Sequence, residues 1–374
     1  MKRAKNRCER LSGPIPPQTQ LAHFLGRHME ASGIVCFGES ASSAARQRAH
    51  FMLVKDSFAA ETALQLMMSH LKPPGVLLSV VGSARNFNVP VDQLSGIGKG
   101  LVKAASLADA WILTGGLDSG IMRWLGETLA LQRHRCASPL IGVASWANVH
   151  GRDQLLKPGR GLKRAYHLDR PPSETDAPLE PNHTHFVFVE SPPTADAQSD
   201  DVWTSHYEYY EQLKICAESR FGCPRVMLVL RGGPLSMRHV RSSLAAGAVL
   251  VIAAFSGGLA SAIYEYVQTG ETPAGWGAQA ADFEYLRSVN AQEAAQRVEQ
   301  EQQDGVEADA GRAVTQTRAQ TRDHGCTSPP LLDSAHVCTL CPAPCAFYPV
   351  RVLLSSTRAF SPLAHSSFAR APRS

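Results

Sequence analysis

Apolar residues in this chain arrive in two alternating rhythms between residues 77 and 268. Short unbroken runs occur at LLSVVG (77–82), AWILTGG (110–116), LIGVAS (140–145), HFVFVE (185–190), RVMLVLR (225–231) and AVLVIAAF (248–255). Their length and uniform hydrophobicity are those of parallel strands covered on both faces. Between them, apolar positions recur every three or four residues, the period of a helix face. Leu94, Ile97, Leu101, Ala104 and Ala108 form one such stripe, and Ile121, Leu125 and Leu129 a second. Tyr207, Tyr210, Leu213 and Ala217 form a third within 203–220. Six strands interleaved with helices predict an α/β fold with an open, mostly parallel sheet and flanking helices. Such sheets take ligands outside the carboxyl ends of their strands, where the strand order reverses.

The same rhythm sets the boundaries. Residues 1–32 are polar and Pro-containing and read as a disordered basic arm, and 33–76 as a lead-in segment packing on the core. The strand–helix alternation fills 77–270, and 271–303 reads as a helical extension ending in a Gln/Glu-rich stretch. From 304 to 374 the text turns Ala/Thr/Gln-rich and then Ser/Pro/Arg-rich. That composition buries too little apolar area to offset its ordering entropy, so a disordered tail is expected. The charge-free stretch 242–264 is long enough for a membrane span. Ser256, Gly257 and Gly258 interrupt it, so a buried strand, a glycine turn and a new helix are expected, with no transmembrane segment.

Charge and cysteine usage narrow the partners. The formal net charge is +4, and the five basic and one acidic side chains of the first ten residues already account for it. Residues 351–374 add four arginines and no acid, which leaves 11–350 net acidic. No basic face for nucleic acid is therefore expected on the folded part. Nine scattered cysteines point to a reducing compartment rather than a disulfide framework. The one cluster, Cys338, Cys341 and Cys345 with Cys326 and His336 nearby, is interrupted by Pro342 and Pro344 and lacks a second spaced pair. It reads as tail rather than as a zinc site.

The predicted strand ends share a chemistry. They carry Gly82-Ser83-Ala84-Arg85-Asn86, then Thr114-Gly115-Gly116 with Gly120 shortly after, then Gly232-Gly233-Pro234 with Ser236, then Ser256-Gly257-Gly258. Glycines at strand-to-helix turns let backbone N–H groups approach an anion, and the following helix adds its positive end. The hydroxyls of Ser83, Thr114, Ser236 and Ser256 can donate to the same group. Three or four such turns at one edge favour a phosphate-bearing ligand over turn geometry alone, although none matches a P-loop or the dinucleotide GxGxxG. Trp146 follows a strand at this edge and reads equally as a base-stacking ring or a core aromatic. His183 and His185 flank Thr184 at a strand start and read as hydrogen-bonded structural residues, with no third metal ligand evident.

Taken in order, LLSVVGSARNF, GKGLVKAASLADAWILTGGLDSGIM, IGVASWANVHGRDQLL, LEPNHTHFVFVE, VMLVLRGGP and VLVIAAFSGG resemble the cytosolic N-terminal region of melastatin-type transient receptor potential (TRPM) channels. That region is the eukaryotic branch of the SLOG superfamily of Rossmann-like nucleotide-ligand domains, and the resemblance covers roughly residues 33–268. It implies a cytosolic sensor module that binds ADP-ribose or a related nucleotide in some channels and packs against other channel domains or subunits. Two departures bear on the ligand. Ligand-binding relatives resemble one another in a Gly-Ser-Gly-Arg turn after the last strand, where this chain has Ser256-Gly257-Gly258 without the cation. The acidic segment expected after HFVFV is replaced by Glu190 and a divergent insert. Arg85, Arg123, Arg152 and Arg231 are the remaining sources of positive charge, none of them at the missing position.

Two alternatives stand beside the sensor reading. One is a structural channel-assembly domain that binds no ligand. The other is a phosphoribohydrolase acting on nucleoside monophosphates, because SLOG relatives of that type are similar around Gly115-Gly116 and Gly120-Ile121-Met122. Their second glycine motif ends in a Glu that assists cleavage, and this chain has His239 there. An imidazole does not replace a carboxylate that stabilises an oxocarbenium-like centre, so no catalytic residue and no resident cofactor are expected.

Overall fold

The computed structural model describes residues 29–37, 48–85, 87–157, 163–168, 170–190, 203, 206–289 and 352–354. The boundary expected at 304, the divergent insert after Glu190 and the cysteine cluster fall outside them, whereas Val352–Leu354, in the stretch expected to be a disordered tail, forms a strand. Within them lies one mixed sheet. Its strands are β1 (Met29–Phe37), β2 (Arg48–Lys55), β3 (Val76–Gly82), β4 (Ala110–Thr114), β5 (Leu140–Ser145), β6 (Lys163–Tyr166), β7 (His185–Glu190), β8 (Arg225–Leu230), β9 (Val249–Ile252) and β10 (Val352–Leu354). The order across the sheet is β10-β9-β8-β3-β4-β5-β7-β2-β1-β6. Every recorded pairing is parallel except β1 with β2.

All six predicted strands form where the apolar runs lie. β1 and β2 come from the arm and lead-in: β1 starts at Met29, and the alternating burial of β2 fits a strand near the sheet edge. β4 and β5 are buried at every position, as a strand covered on both faces must be.

The helices are α1 (Ala60–Met67), α2 (Val91–Leu107), α3 (Gly120–Leu131), α4 (Asp153–Leu156), α5 (Tyr207–Phe221), α6 (Pro234–Ala245) and α7 (Gly258–Thr269). α2 and α3 bury Leu101, Val102, Ala105, Ile121, Leu125 and Leu129 in one core with Ile112 and Leu140. The face of α2 is rotated from the predicted stripe: Gly98, Val102 and Ala105 are buried and Ala104 is exposed, because Gly98 lets the helix approach Thr128 and Trp124 of α3. On the other face, α1 and α5 bury Leu64, Met67, Tyr210 and Leu213 against Leu77, Leu113, Val143 and Val187. α6 and α7 close over β8 and β9 through Met237, Val240, Leu259 and Ile263. The stretch 242–264 divides into the end of α6, β9, a glycine turn and the start of α7. No helix of the described residues is long and apolar enough to cross a membrane.

The connections put the strand-order reversal at β3. From β3 the chain steps through β4, β5 and β7 on one side, then returns to place β8 and β9 on the other. The turns after β3 and β8 therefore diverge around a crevice at the carboxyl edge, the position where doubly wound sheets bind ligands.

Candidate functional site

Three turns meet at this crevice and are laced by serine hydroxyls. The Gly232 N–H donates to Ser83 Oγ at 3.2 Å, and Ser236 Oγ donates to the Gly82 carbonyl at 3.3 Å, joining the turns after β3 and β8. The Arg231 N–H donates to Ser256 Oγ at 2.7 Å, while Ser256 Oγ donates to the Ala253 carbonyl at 2.6 Å, joining β8 to β9. Gly82 has no room for a side chain, since a Cβ there would run into the Leu230 carbonyl of the neighbouring strand. The hydroxyls of Ser236 and Ser256, expected to face a ligand, instead hold the turns together.

Helix ends at this edge are not equivalent. At α3 the Ile121 N–H donates to the Ser83 carbonyl at 3.0 Å, and Gly120 sits at φ +47° against Ser83 and Ala84. At α7 the Leu259 and Ala260 N–H groups donate to the carbonyls of Gly232 and Arg231 at 3.1 and 2.9 Å. Those first turns are satisfied by protein. α6 differs: Pro234 opens it, Ser236 Oγ accepts the Gly233 N–H at 3.3 Å, and no carbonyl among the described residues meets the N–H of Leu235 or Ser236. A helix end with free amides beside a Gly-Gly turn is the arrangement that accepts an anion.

Gly115 and Gly116 are required by packing. A Cβ on Gly115 would lie 2.8 Å from Met122 Sδ. Gly116, at φ +73°, would place one 2.8 Å from the Gly142 Cα and 3.2 Å from the Phe186 ring. Beneath them runs a buried relay. The Gly116 N–H donates to Thr114 Oγ1 at 3.0 Å, and Thr114 Oγ1 lies 2.7 Å from His183 Nε2. His183 Nδ1 lies 2.7 Å from Glu180 Oε2. A carboxylate only accepts, so Nδ1 carries its hydrogen toward Glu180; Thr114, already accepting from Gly116, donates to Nε2. Glu180 also accepts from the backbone N–H and side-chain amide of Asn182 at 3.0 and 2.6 Å. Thr114, Glu180 and His183 are each 1% exposed, so this triad-like chain is a clamp on the turn and presents no nucleophile to a substrate.

The other predicted residues fall as follows. Ala84 and Arg85 lie in the turn after β3, and Arg85 Nη2 donates to the Glu174 carbonyl at 2.8 Å. Asn86 lies outside the described residues. Trp146 is buried and packs against Phe188 with ring centroids 5.5 Å apart, which gives the core aromatic rather than the base-stacking ring. Gly257 and Gly258 sit at φ +82° and +57° beside the Arg231 side chain.

His239 does not face the crevice. It is buried between the Tyr207 and Tyr210 rings, with Nε2 3.3 Å from Glu211 Oε1, a close contact without hydrogen-bond geometry. Glu211 is also held by Lys214 Nζ at 2.7 Å and by the Ser243 hydroxyl, and Lys214 Nζ stands 4.8 Å over the Tyr210 ring. Burial alone would raise the Glu211 carboxyl, but Lys214 and His239 outweigh it and bring it down to about 2. Sequence reasoning missed this cluster, and it missed Glu180. The Glu211–Lys214 spacing was visible, but its burial depends on α6. Histidines also stack at the opposite edge, where the His50 ring lies 4.0 Å from His70 and 5.3 Å from His185. No group of three or more His, Cys, Asp or Glu among the described residues is arranged to hold a metal ion.

A doubly wound α/β unit with its crevice at the β3/β8 reversal and glycine turns lining it is a Rossmann-like architecture. A family model described as SLOG in TRPM matches residues 49–292, and the chain belongs to that family. It is 30% identical to mouse transient receptor potential cation channel subfamily M member 2 over 247 residues, 63% of this chain and 16% of that protein. It is 30% identical over 201 residues to the Nematostella vectensis subfamily M member-like 2, covering 50% of this chain and 13% of that one. Human subfamily M member 7 is 28% identical over 210 residues, 55% of this chain and 11% of that protein. The matched stretch is thus a small fraction of each of these cation channels.

Proposed function

We infer that this chain is a ligand-sensing regulatory module of TRPM type, working on the cytosolic side of a membrane and binding a nucleoside diphosphate such as ADP-ribose. The observation that carries the reading is the first turn of α6. Among the described residues no carbonyl meets its Leu235 and Ser236 amides, it follows Gly232-Gly233, and it opens onto the crevice where the strand order reverses. The phosphates would lie against Gly233–Ser236 and the turn after β3. Thr114, Gly115 and Gly116 would support that floor from below.

A hydrolase reading lacks support at the matched position, since His239 is buried and the nearby carboxylate is committed to Lys214 and Ser243. Assembly without a ligand has one observation in its favour. Leu107 and Leu131, which end α2 and α3 at the same edge, are 78% and 80% exposed. Calorimetry of the full chain against ADP-ribose, NAD and AMP separates the readings. Binding of a diphosphate supports the sensor. Absence of both heat and thermal stabilisation at millimolar ligand leaves assembly, and free base released from AMP restores the hydrolase.

A further inference from the structure

Positive charge at the crevice has few sources. Of the arginines near this edge, Arg123 is neutralised by Asp118, with Nε 2.6 Å from Oδ1. Arg152 is spent on the carbonyls of Trp146 and Ala147 beyond β5, and Arg85 turns toward the Glu174 carbonyl. Arg231 remains, at the end of β8, where the turns after β3, β8 and β9 converge.

Its placement is constrained from three sides. The backbone is left-handed at φ +57°, one of two non-glycine residues so recorded among the described residues, and the N–H is fixed on Ser256 Oγ. Nη1 donates to the Asn88 carbonyl at 3.0 Å and lies 3.5 Å from the Ser256 carbonyl. The side chain also occupies the space that side chains on the β9 turn would need. A Cβ on Gly258 would lie 3.2 Å from Arg231 Cγ, and one on Gly257 would lie 3.2 Å from Nη1. Gly257 yields its volume to this arginine, whereas a Cβ on Gly258 would first meet the Gly232 carbonyl. Among the described residues Nε and Nη2 have no partner, and no carboxylate pairs with the guanidinium. A guanidinium anchored through one nitrogen on carbonyl oxygens, with its other N–H groups free, suits an anion with several acceptor oxygens.

We propose that Arg231 is the phosphate-recognising cation of this crevice, reaching from the end of β8 to hold the pyrophosphate of a nucleoside diphosphate. This rests on the nucleotide-binding reading above. The test is titration of the full chain with ADP-ribose and with inorganic pyrophosphate at several salt concentrations, for wild type, Arg231→Gln and Arg231→Lys. Melting temperatures without ligand check that each variant is folded.

Removing a charge-assisted bond to phosphate weakens binding roughly tenfold to a hundredfold. Arg231→Gln is expected to lose that much for both ligands and to flatten the salt dependence, while Arg231→Lys keeps the salt dependence with a smaller loss. Unchanged affinity in Arg231→Gln overturns the assignment and leaves the nucleotide reading standing. So does a loss with wild-type salt dependence, which marks an arginine that only shapes the turn. A wild type that binds neither ligand brings down the nucleotide reading and this inference with it.

Discussion

Replacing His183 by alanine probes how the floor of the crevice is held. The substitution removes the acceptor of the Thr114 hydroxyl, at 2.7 Å, and one of three donors to a carboxylate that is 1% exposed. Each buried group left unpaired costs about 1–3 kcal/mol. The missing ring also leaves a gap beside Phe186, whose centroid lies 5.4 Å from that of His183. That gap adds about 1 kcal/mol, because the β4–β5–β7 core collapses only partly around it. The expected loss is about 3–7 kcal/mol, a large share of the roughly 5–15 kcal/mol that keeps a domain folded. It corresponds to a drop in Tm of about 10 °C for a domain of this size. Urea unfolding at pH 7.5, followed by tryptophan fluorescence and circular dichroism, measures it. Thr114→Val is expected to lose about 2–6 kcal/mol, because it orphans the Gly116 N–H and His183 Nε2 and keeps the Glu180–His183 bond. A loss below about 1 kcal/mol for His183→Ala would refute the clamp and mean that the relay is dispensable to the turn.

Gly116→Ala should cost at least about 2 kcal/mol in the same assay, from the left-handed backbone together with the approach to Gly142 and Phe186; near-wild-type stability would mean the turn relaxes freely. Lys214→Met strands the buried Glu211 carboxylate and is expected to cost about 3–5 kcal/mol, most of it recovered in Lys214→Met/Glu211→Leu; additive losses would contradict the pairing. Burial, aided by His239, pushes His206 down to about 3 from 6.5, and burial, aided by His50 and His70, does the same to His185. The unfolded chain then binds protons that the folded chain refuses, so this stability is complete above pH 6.5 and lost as pH falls toward 3. The slope is about 1.4 kcal/mol per pH unit for each histidine. Urea midpoints that stay level from pH 7 to pH 5, or a slope unaltered in His185→Gln, would contradict it.

The sheet was legible because its central strands are covered on both faces, so LIGVAS and HFVFVE carry their burial in composition alone. β1, β2, β6 and β10 were not, for physical reasons. β2 is half-buried at alternate positions and laced with Arg48, His50 and Lys55, and KRAY is too short to show a period. At the crevice, the glycine turns were visible but their causes were not. Gly115-Gly116 reads as a phosphate turn until Met122, Gly142 and Phe186 are seen to leave no room for a Cβ. Ser236 and Ser256 read as ligand donors until they are found bonded to neighbouring turns. Arg231 was one of four candidate cations, and only tertiary structure shows its side chain filling the space above Gly257. Long-range partners of this kind leave no periodic trace along a chain.

The central claim is that a nucleoside diphosphate sits at the carboxyl edge between the turns after β3 and β8. A crystal structure of the full chain with ADP-ribose tests it most directly. Pyrophosphate density is expected against the amides of Leu235 and Ser236 and the Arg231 guanidinium. Density at another surface, or an empty crevice at ligand concentrations that saturate the protein in solution, would contradict it.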